Sequence, residues 1–185
     1  MKLLVCVDMQ DDFINGSLGS EHCQKIVPNV VKKVKDHLMS GGCVMFTKDT
    51  HEDNYLKTRE GKHLQVEHCI KGTLGHQLLP DLLSFPISKE FRKQCFVVEK
   101  LNRFGLIGYD LMKNSDHFNE LEFIGVATNI CVISCAVSFQ NLIPNAEITI
   151  DASCCASFDP VLHEKALDVM EGLQMNVINR ESCNQ

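Results

Sequence analysis

Three side chains in this sequence could together build a nucleophile. Asp8, Lys100 and Cys131 each stand at or just beyond the end of a short apolar run: Leu3-Leu4-Val5-Cys6-Val7, Cys95-Phe96-Val97-Val98, and Leu121–Val126 followed by the turn Ala127-Thr128-Asn129-Ile130. A thiol at a helix N-terminus beside a lysine has a lowered pKa and is more thiolate at neutral pH. An aspartate within reach could accept the thiol proton and pass it to a leaving amine. Backbone N–H groups in the turn before Cys131 could hold the oxyanion that forms on attack. Each residue also has a plainer reading. Asp8 could cap a turn, Lys100 could be a solvated charge, and Cys131 is one of ten cysteines. Chemistry is favoured because all three fall on one kind of place, the end of a strand.

A second constellation lies between residues 49 and 68. Asp49-Thr50-His51 offers a carboxylate and an imidazole at i and i+2, and Glu60 and His68 follow. Two carboxylates with two imidazoles suit Zn²⁺, Fe²⁺ or Mn²⁺ and would set an electrophilic ion beside the thiol. By spacing alone His63 or Asp53 would serve as well, and a solvated polar loop is the plain alternative.

The elements that must position these groups alternate along the chain. Strands are predicted at 2–8, 43–47, 95–99, 121–126, 146–151 and 175–179. Helices are predicted at 28–39, near 74–83, at 108–115, at 131–139 and at 160–173. Pro28 suits a first helical position, Val30, Val31, Val34 and Leu38 have helical spacing, and Gly41-Gly42 stops that helix. The His-rich loop after the second strand is long for a connection without structure, which points to function. Continuous apolar strands alternating with helices predict an α/β fold: a six-stranded, parallel, Rossmann-like sheet covered on both faces, one domain over 1–185. In such sheets ligands bind beyond the carboxyl ends of the strands, where Asp8, Asp49, Lys100 and Cys131 fall.

Composition excludes other classes. The chain has 185 residues, 44% hydrophobic and 23% charged, with formal net charge −6 and scattered Lys and Arg. That disfavours disorder and a nucleic-acid footprint. No apolar run approaches the roughly 20 residues of a membrane span, and Asp8 ends the first run too early for a signal peptide. Several cysteines sit inside apolar runs and no Cys-x-x-Cys pair occurs, so buried thiols in a reducing, cytoplasmic compartment are expected.

Four segments carry a resemblance: Val7-Asp8-Met9-Gln10-Asp11-Asp12-Phe13, Thr47-Lys48-Asp49-Thr50-His51, His68-Cys69-Ile70-Lys71-Gly72-Thr73 and Gly125-Val126-Ala127-Thr128-Asn129-Ile130-Cys131-Val132. In this order they resemble the isochorismatase-like cysteine hydrolases, and within them the nicotinamidase/pyrazinamidase type. The resemblance implies a three-layer α/β/α fold and a triad falling on Asp8, Lys100 and Cys131. It implies a non-proline cis peptide at Val126–Ala127, with the Ala127 and Cys131 amides as the oxyanion hole. It implies one divalent metal, zinc first with iron or manganese as alternatives, on Asp49, His51 and His68 with Glu60 as fourth protein ligand. Phe13 matches the aromatic that lines the substrate ring, and Leu64, Gln65, Ala127, Leu101 and Phe104 are expected around it. The implied activity is amide hydrolysis with ammonia release, nicotinamide to nicotinate first and pyrazinamide also, a step of NAD salvage. The expected partners are a small-molecule amide and further copies of the chain, with no nucleic acid and no membrane. Two departures stand out: Gln65-Val66-Glu67 precedes His68, and there is no Trp. Another ureido or carbamoyl compound, or an inactive interaction module, is the alternative.

Rival chemistries fit less well. Cys131 argues against vinyl-ether hydrolysis, since isochorismatases proper do not use this cysteine. A phosphatase loop starting at Cys69 needs Arg six residues on, where Gly75 stands. A nucleotide-binding module would need a glycine-rich turn after the first strand, and Met9-Gln10-Asp11-Asp12 would repel phosphate there.

Overall fold

The computed structural model of the protein describes residues 2–83, 95–100 and 118–180. The helix expected over 108–115, together with Leu101 and Phe104, lies outside them. Six strands make one parallel sheet: β1 (Lys2–Val7), β2 (Cys43–Asp49), β3 (Cys95–Lys100), β4 (Glu120–Val126), β5 (Glu147–Ala156) and β6 (Asn176–Ile178). Their spatial order is β3-β2-β1-β4-β5-β6. The order reverses between β1 and β4, the place where open parallel sheets leave a crevice for ligands.

β1 shows why both faces are covered. Leu3 to Val7 are all fully buried, and successive side chains go to opposite layers. Leu3, Val5 and Val7 join Phe123, Phe139 and Leu167, whereas Leu4 and Cys6 join Val30, Val34 and Phe46. The first layer is closed by α5 (Ile133–Leu142) and α6 (Pro160–Gly172), the second by α2 (Glu21–Met39). The short helices α1 (Asp11–Ile14), α3 (Arg59–His63) and α4 (Pro80–Leu83) lie in the connections at the carboxyl edge. Among the described residues no helix is long and apolar enough to cross a membrane. Of the eight cysteines whose side chains are described, all free thiols, seven are buried and Cys43 is half-buried.

Several boundaries differ from the sequence reading: the helix expected near 74–83 is only Pro80–Leu83, and the one expected at 131–139 starts at Ile133, after a turn, and runs to Leu142. α2 begins at Glu21, not at Pro28, because Ser20 caps it by accepting the Cys23 N–H at 3.2 Å, and Cys23 and Ile26 extend the buried stripe ahead of the proline. The stripe outweighs the one backbone bond that Pro28 removes. β5 runs on to Ala156 through Asp151, which is 1% exposed. Its carboxylate is tolerated there because Lys33 of α2 pairs with both Asp151 and Glu122, while Lys2 reaches Glu122 at 2.5 Å.

This network couples the sheet to α2 and makes stability depend on pH. Burial raises the pKa of both carboxyls, but Lys2 and Lys33 at Glu122, and Lys33 with Ser153 and Asn179 at Asp151, outweigh it and hold both below their ordinary values. A carboxyl with a depressed folded-state pKa stabilises fully above its unfolded value, and that contribution is lost as pH falls through the folded one. Lys33→Met is therefore expected to cost about 3 kcal/mol at pH 7, since it removes the only lysine paired with the buried Asp151 among the described residues and leaves Glu122 to Lys2 alone. In urea unfolding, the gap between variant and wild type should narrow from pH 7 to pH 3, because the carboxyls of the unfolded chain and of the variant take up protons before the lysine-paired ones of the wild-type fold do. A gap as large at pH 3 as at pH 7 would trace the loss to packing and not to charge.

Candidate active site

All strands being parallel, their carboxyl ends lie on one edge. β1 delivers Asp8 there, fully buried and at φ +49, a left-handed conformation that aspartate tolerates. Thr47 of β2 holds it twice. The Thr47 hydroxyl donates to Asp8 Oδ1 at 2.5 Å, and the Asp8 N–H donates to Thr47 Oγ1 at 3.1 Å. β3 delivers Lys100, whose backbone is in register with Asp49 at the end of β2.

β4 leads into the turn of Cys131. Gly125, at φ +116, lies so close to β1 that a Cβ would stand 2.1 Å from the Val7 carbonyl oxygen, so only glycine fits. The Val126–Ala127 peptide is cis. The chain then makes one π-helical turn, Thr128–Val132, around the Ala127 carbonyl, which accepts the N–H groups of Ile130 and Val132 at 3.0 and 3.1 Å. Cys131 sits in this turn, 5% exposed, just ahead of α5. Burial pushes the Cys6 and Cys155 thiols well up, and Cys154, mainly buried and also near Asp151, up to about 11. Those thiols are held neutral.

Asp49, His51, Glu60 and His68 converge until one ligand atom from each lies within 4.8 Å of the others. Both imidazole Nε2 atoms face the same Asp49 oxygen, at 3.2 Å from His51 and 3.6 Å from His68. His68 Nδ1 lies 2.8 Å from the Val66 carbonyl, which fixes that nitrogen as the donor and leaves Nε2 for the cluster. Burial works against the His68 imidazolium, but Asp49 and the Val66 carbonyl outweigh it and raise the pKa. The donor set, two carboxylates and two imidazoles with no thiolate, fits Zn²⁺, Fe²⁺ or Mn²⁺. Cys69, next in sequence to His68, turns its Sγ to the Gly75 carbonyl instead, at 3.9 Å.

Local structure explains the convergence. His51 bridges to Ile70 as a short parallel pair, its N–H donating to the Cys69 carbonyl and its carbonyl accepting the Lys71 N–H. Tyr55 is fully buried against both imidazoles, its ring centroid 4.6 Å from His51 and 5.0 Å from His68, and its hydroxyl donates to the Leu64 carbonyl at 2.9 Å. Thr58 caps α3, which carries Glu60. A narrow pocket opens between this cluster and the turn of Cys131, with Asp49 and His68 on one side and Ala127, Ile130 and Cys131 on the other. Phe13, Leu18, Leu64 and Phe158 complete its lining.

The isochorismatase domain model matches residues 2–182. The chain belongs to the isochorismatase family. An uncharacterized isochorismatase family protein, PncA of Bacillus subtilis, is 30% identical over 171 residues, covering 90% of this chain and 92% of its own. The crystal structure of the nicotinamidase/pyrazinamidase PncA from Bacillus subtilis superposes with a TM-score of 0.82 at 28% identity, over 95% of this chain and 98% of that one. The pyrazinamidase of Pyrococcus horikoshii in complex with zinc shares the fold, with a TM-score of 0.79 at 23% identity over 97% and 99% of the two chains.

In this member of the isochorismatase family, several residues that shape the site were given no role in it by the sequence reading. Gln10 is fully buried and ties three segments. Its Nε2 donates to the Asp49 and His76 carbonyls, both at 2.9 Å, and its Oε1 accepts the Asp49 N–H at 2.6 Å. Asp12 accepts the Cys69 N–H at 2.7 Å and so fixes the segment after His68. Thr47, Tyr55, Leu18 and Phe158 belong with them. Gln65, expected at the pocket wall, is exposed and is not among the lining residues. The metal-loop alternatives His63 and Asp53 are exposed and outside the cluster.

Proposed function

We propose that this chain is a metal-assisted cysteine amidohydrolase that converts a small planar amide, nicotinamide first and pyrazinamide also, to its acid and ammonia. One observation carries the reading: a single pocket has Cys131 and Ala127 on one side and the donor cluster on the other. An amide carbon and a polar ring atom of one small molecule can be met there at once. The nicotinamidase/pyrazinamidase from Bacillus subtilis and the zinc complex of the Pyrococcus horikoshii enzyme support the same reading.

The chemistry divides among the residues. Asp8 takes the Cys131 proton, and the sulfur attacks the amide carbon. The amide N–H groups of Ala127 and Cys131 receive the oxyanion. Asp8 then gives its proton to the leaving nitrogen, so ammonia departs and a thioester remains. Asp8 next accepts a proton from water, whose oxygen displaces the sulfur, and returns that proton to the Cys131 thiolate as the acid leaves. The Lys100 ammonium favours the carboxylate and the thiolate together. Asp49, His51, Glu60 and His68 would hold the divalent ion, which when bound supplies a Lewis-acidic anchor for a ring nitrogen.

The test compares nicotinamide with benzamide, which lacks the ring nitrogen. Wild type is expected to release ammonia from nicotinamide at least about tenfold more efficiently, some 1.4 kcal/mol in the barrier. In His51→Ala, which should also bind less than one equivalent of zinc, that preference should fall toward one. Equal rates for both amides in the wild-type protein would remove the ring nitrogen from the reading. No ammonia from any amide in a panel including carbamoyl and ureido compounds would remove the activity.

A further inference from the structure

Thr128, Asn129 and Ile130 stand between Ala127 and Cys131 in the chain. Two of those side chains are held from one place, the connection that leads from β5 into α6. Thr128 Oγ1 lies 2.8 Å from Nδ1 of His163, in the first turn of α6. The Ser157 hydroxyl donates to Asn129 Oδ1 at 2.6 Å, and the Asp159 N–H donates to Ser157 Oγ at 3.2 Å. Asp159 in turn caps α6. Its carboxylate accepts the N–H groups of Val161 and Leu162, and its carbonyl accepts that of His163. α6 also packs directly against the turn of Cys131. Single π-helical turns are rare and occur frequently at functional sites. Here the direction of the Ala127 and Cys131 amides depends on how such a turn is held.

The chemistry of the pair fixes which atom gives the proton. Thr128 is fully buried, so its hydroxyl must bond within the protein. Burial, with Arg180 and His22 nearby, lowers the His163 pKa despite Glu164, and the ring is neutral at neutral pH. A neutral imidazole has one N–H and one acceptor nitrogen. Nε2 faces the Glu164 carboxylate at 3.8 Å, which favours the N–H on that side and leaves Nδ1 to accept from Thr128. Neither Thr128 nor His163 is among the residues that line the pocket. The pair therefore acts on the turn and not on a substrate.

We propose that His163 is a positioning residue for the oxyanion site: through the Thr128 hydroxyl it holds the turn that aims the Ala127 and Cys131 amides. This rests on the amidohydrolase reading of that turn. An aldehyde in place of the amide separates positioning from substrate binding. With pyridine-3-carbaldehyde the Cys131 sulfur bonds to the carbonyl carbon, the thiol proton ends on the oxygen and nothing leaves. The adduct thus puts its oxygen where the oxyanion forms. His163→Leu sets a methyl where Nδ1 stood. It is expected to lower kcat for nicotinamide at least about tenfold and to weaken the aldehyde by a similar factor. Added to the Cys131→Ala protein, it should change nicotinamide binding by less than about threefold, since the ground-state amide makes little use of the hole. His163→Asn sets an acceptor oxygen in the place of Nδ1 and should bring kcat and aldehyde affinity back to within about threefold of wild type. Thr128→Val cuts the same bond from its other end and carries the test should His163→Leu fail to fold. It should reproduce the loss, and the double variant should lose no more than either single one. In a protein that releases ammonia, a loss of kcat under about tenfold would overturn the proposal. So would equal weakening of amide and aldehyde, no recovery in His163→Asn, or no aldehyde adduct in wild type. Ammonia release by wild type is a separate readout. A His163-dependent aldehyde affinity in a protein that releases no ammonia would keep the positioning role and sink the amidohydrolase reading.

Discussion

The Cys131→Ala protein is expected to lose ammonia release by at least about 10⁴-fold while remaining folded. In hydrolases built on a catalytic triad, loss of the nucleophile costs about 10⁶ in kcat, and what survives comes from the oxyanion hole and binding. Fold should be spared because the side chain is small and faces the pocket from a turn whose backbone bonds run through Ala127, Ile130 and Val132. A companion measurement isolates reactivity. In wild type, iodoacetamide should label Cys131 before Cys6, Cys154 and Cys155, which burial holds as neutral thiols. Cys135, buried in the layer beneath, should be slow as well. Turnover of Cys131→Ala within tenfold of wild type, or peptide maps in which Cys131 reacts last, would take the nucleophile's role from it.

Much of this site was legible because a central parallel strand writes a plain signature. Leu3 to Val7 cannot tolerate polarity, so the first acid after them marks the carboxyl edge, and Asp49 marks it again at the end of β2. The donor cluster was legible as residue types, and the resemblance chose Glu60 over Asp53; the structure then brings Glu60 within the 4.8 Å set because Thr58 caps α3 and Tyr55 packs beneath. What stayed hidden was decided by contacts distant in sequence. Gln10 and Thr47 each act across 39 residues, and nothing local distinguishes them from any polar residue at a strand end. Phe158 follows β5, and the sequence reading stopped that strand at Asp151, five residues before its end, because a buried aspartate is tolerated only when Lys33 meets it from another layer. Missing the extension meant missing the turn that brings a second ring to the pocket. Ser20 was overlooked for the opposite reason: Pro28 gave so clear a local start signal that the cap eight residues earlier went unread.

Asp8→Asn is expected to lower kcat by about 10³, within the range that a positioned general acid–base contributes, with KM changed by less than about threefold. The substitution is nearly free of structural cost. Asparagine accepts the left-handed conformation at φ +49 as readily as aspartate does, and its amide oxygen can take the Thr47 hydroxyl in place of Oδ1. What it cannot do is receive the thiol proton and return it to the leaving nitrogen. Thr47→Val provides the graded comparison. It keeps the carboxylate but removes the hydroxyl that donates to it and accepts the Asp8 N–H, so it should lose only about tenfold through a less well-placed base. The order of the two effects carries the argument, because a merely structural Asp8 would make the variant that removes both hydrogen bonds the worse one. An Asp8→Asn protein within tenfold of wild type, or one less impaired than Thr47→Val, would leave proton transfer to another group and reduce Asp8 to the residue that closes the end of β1.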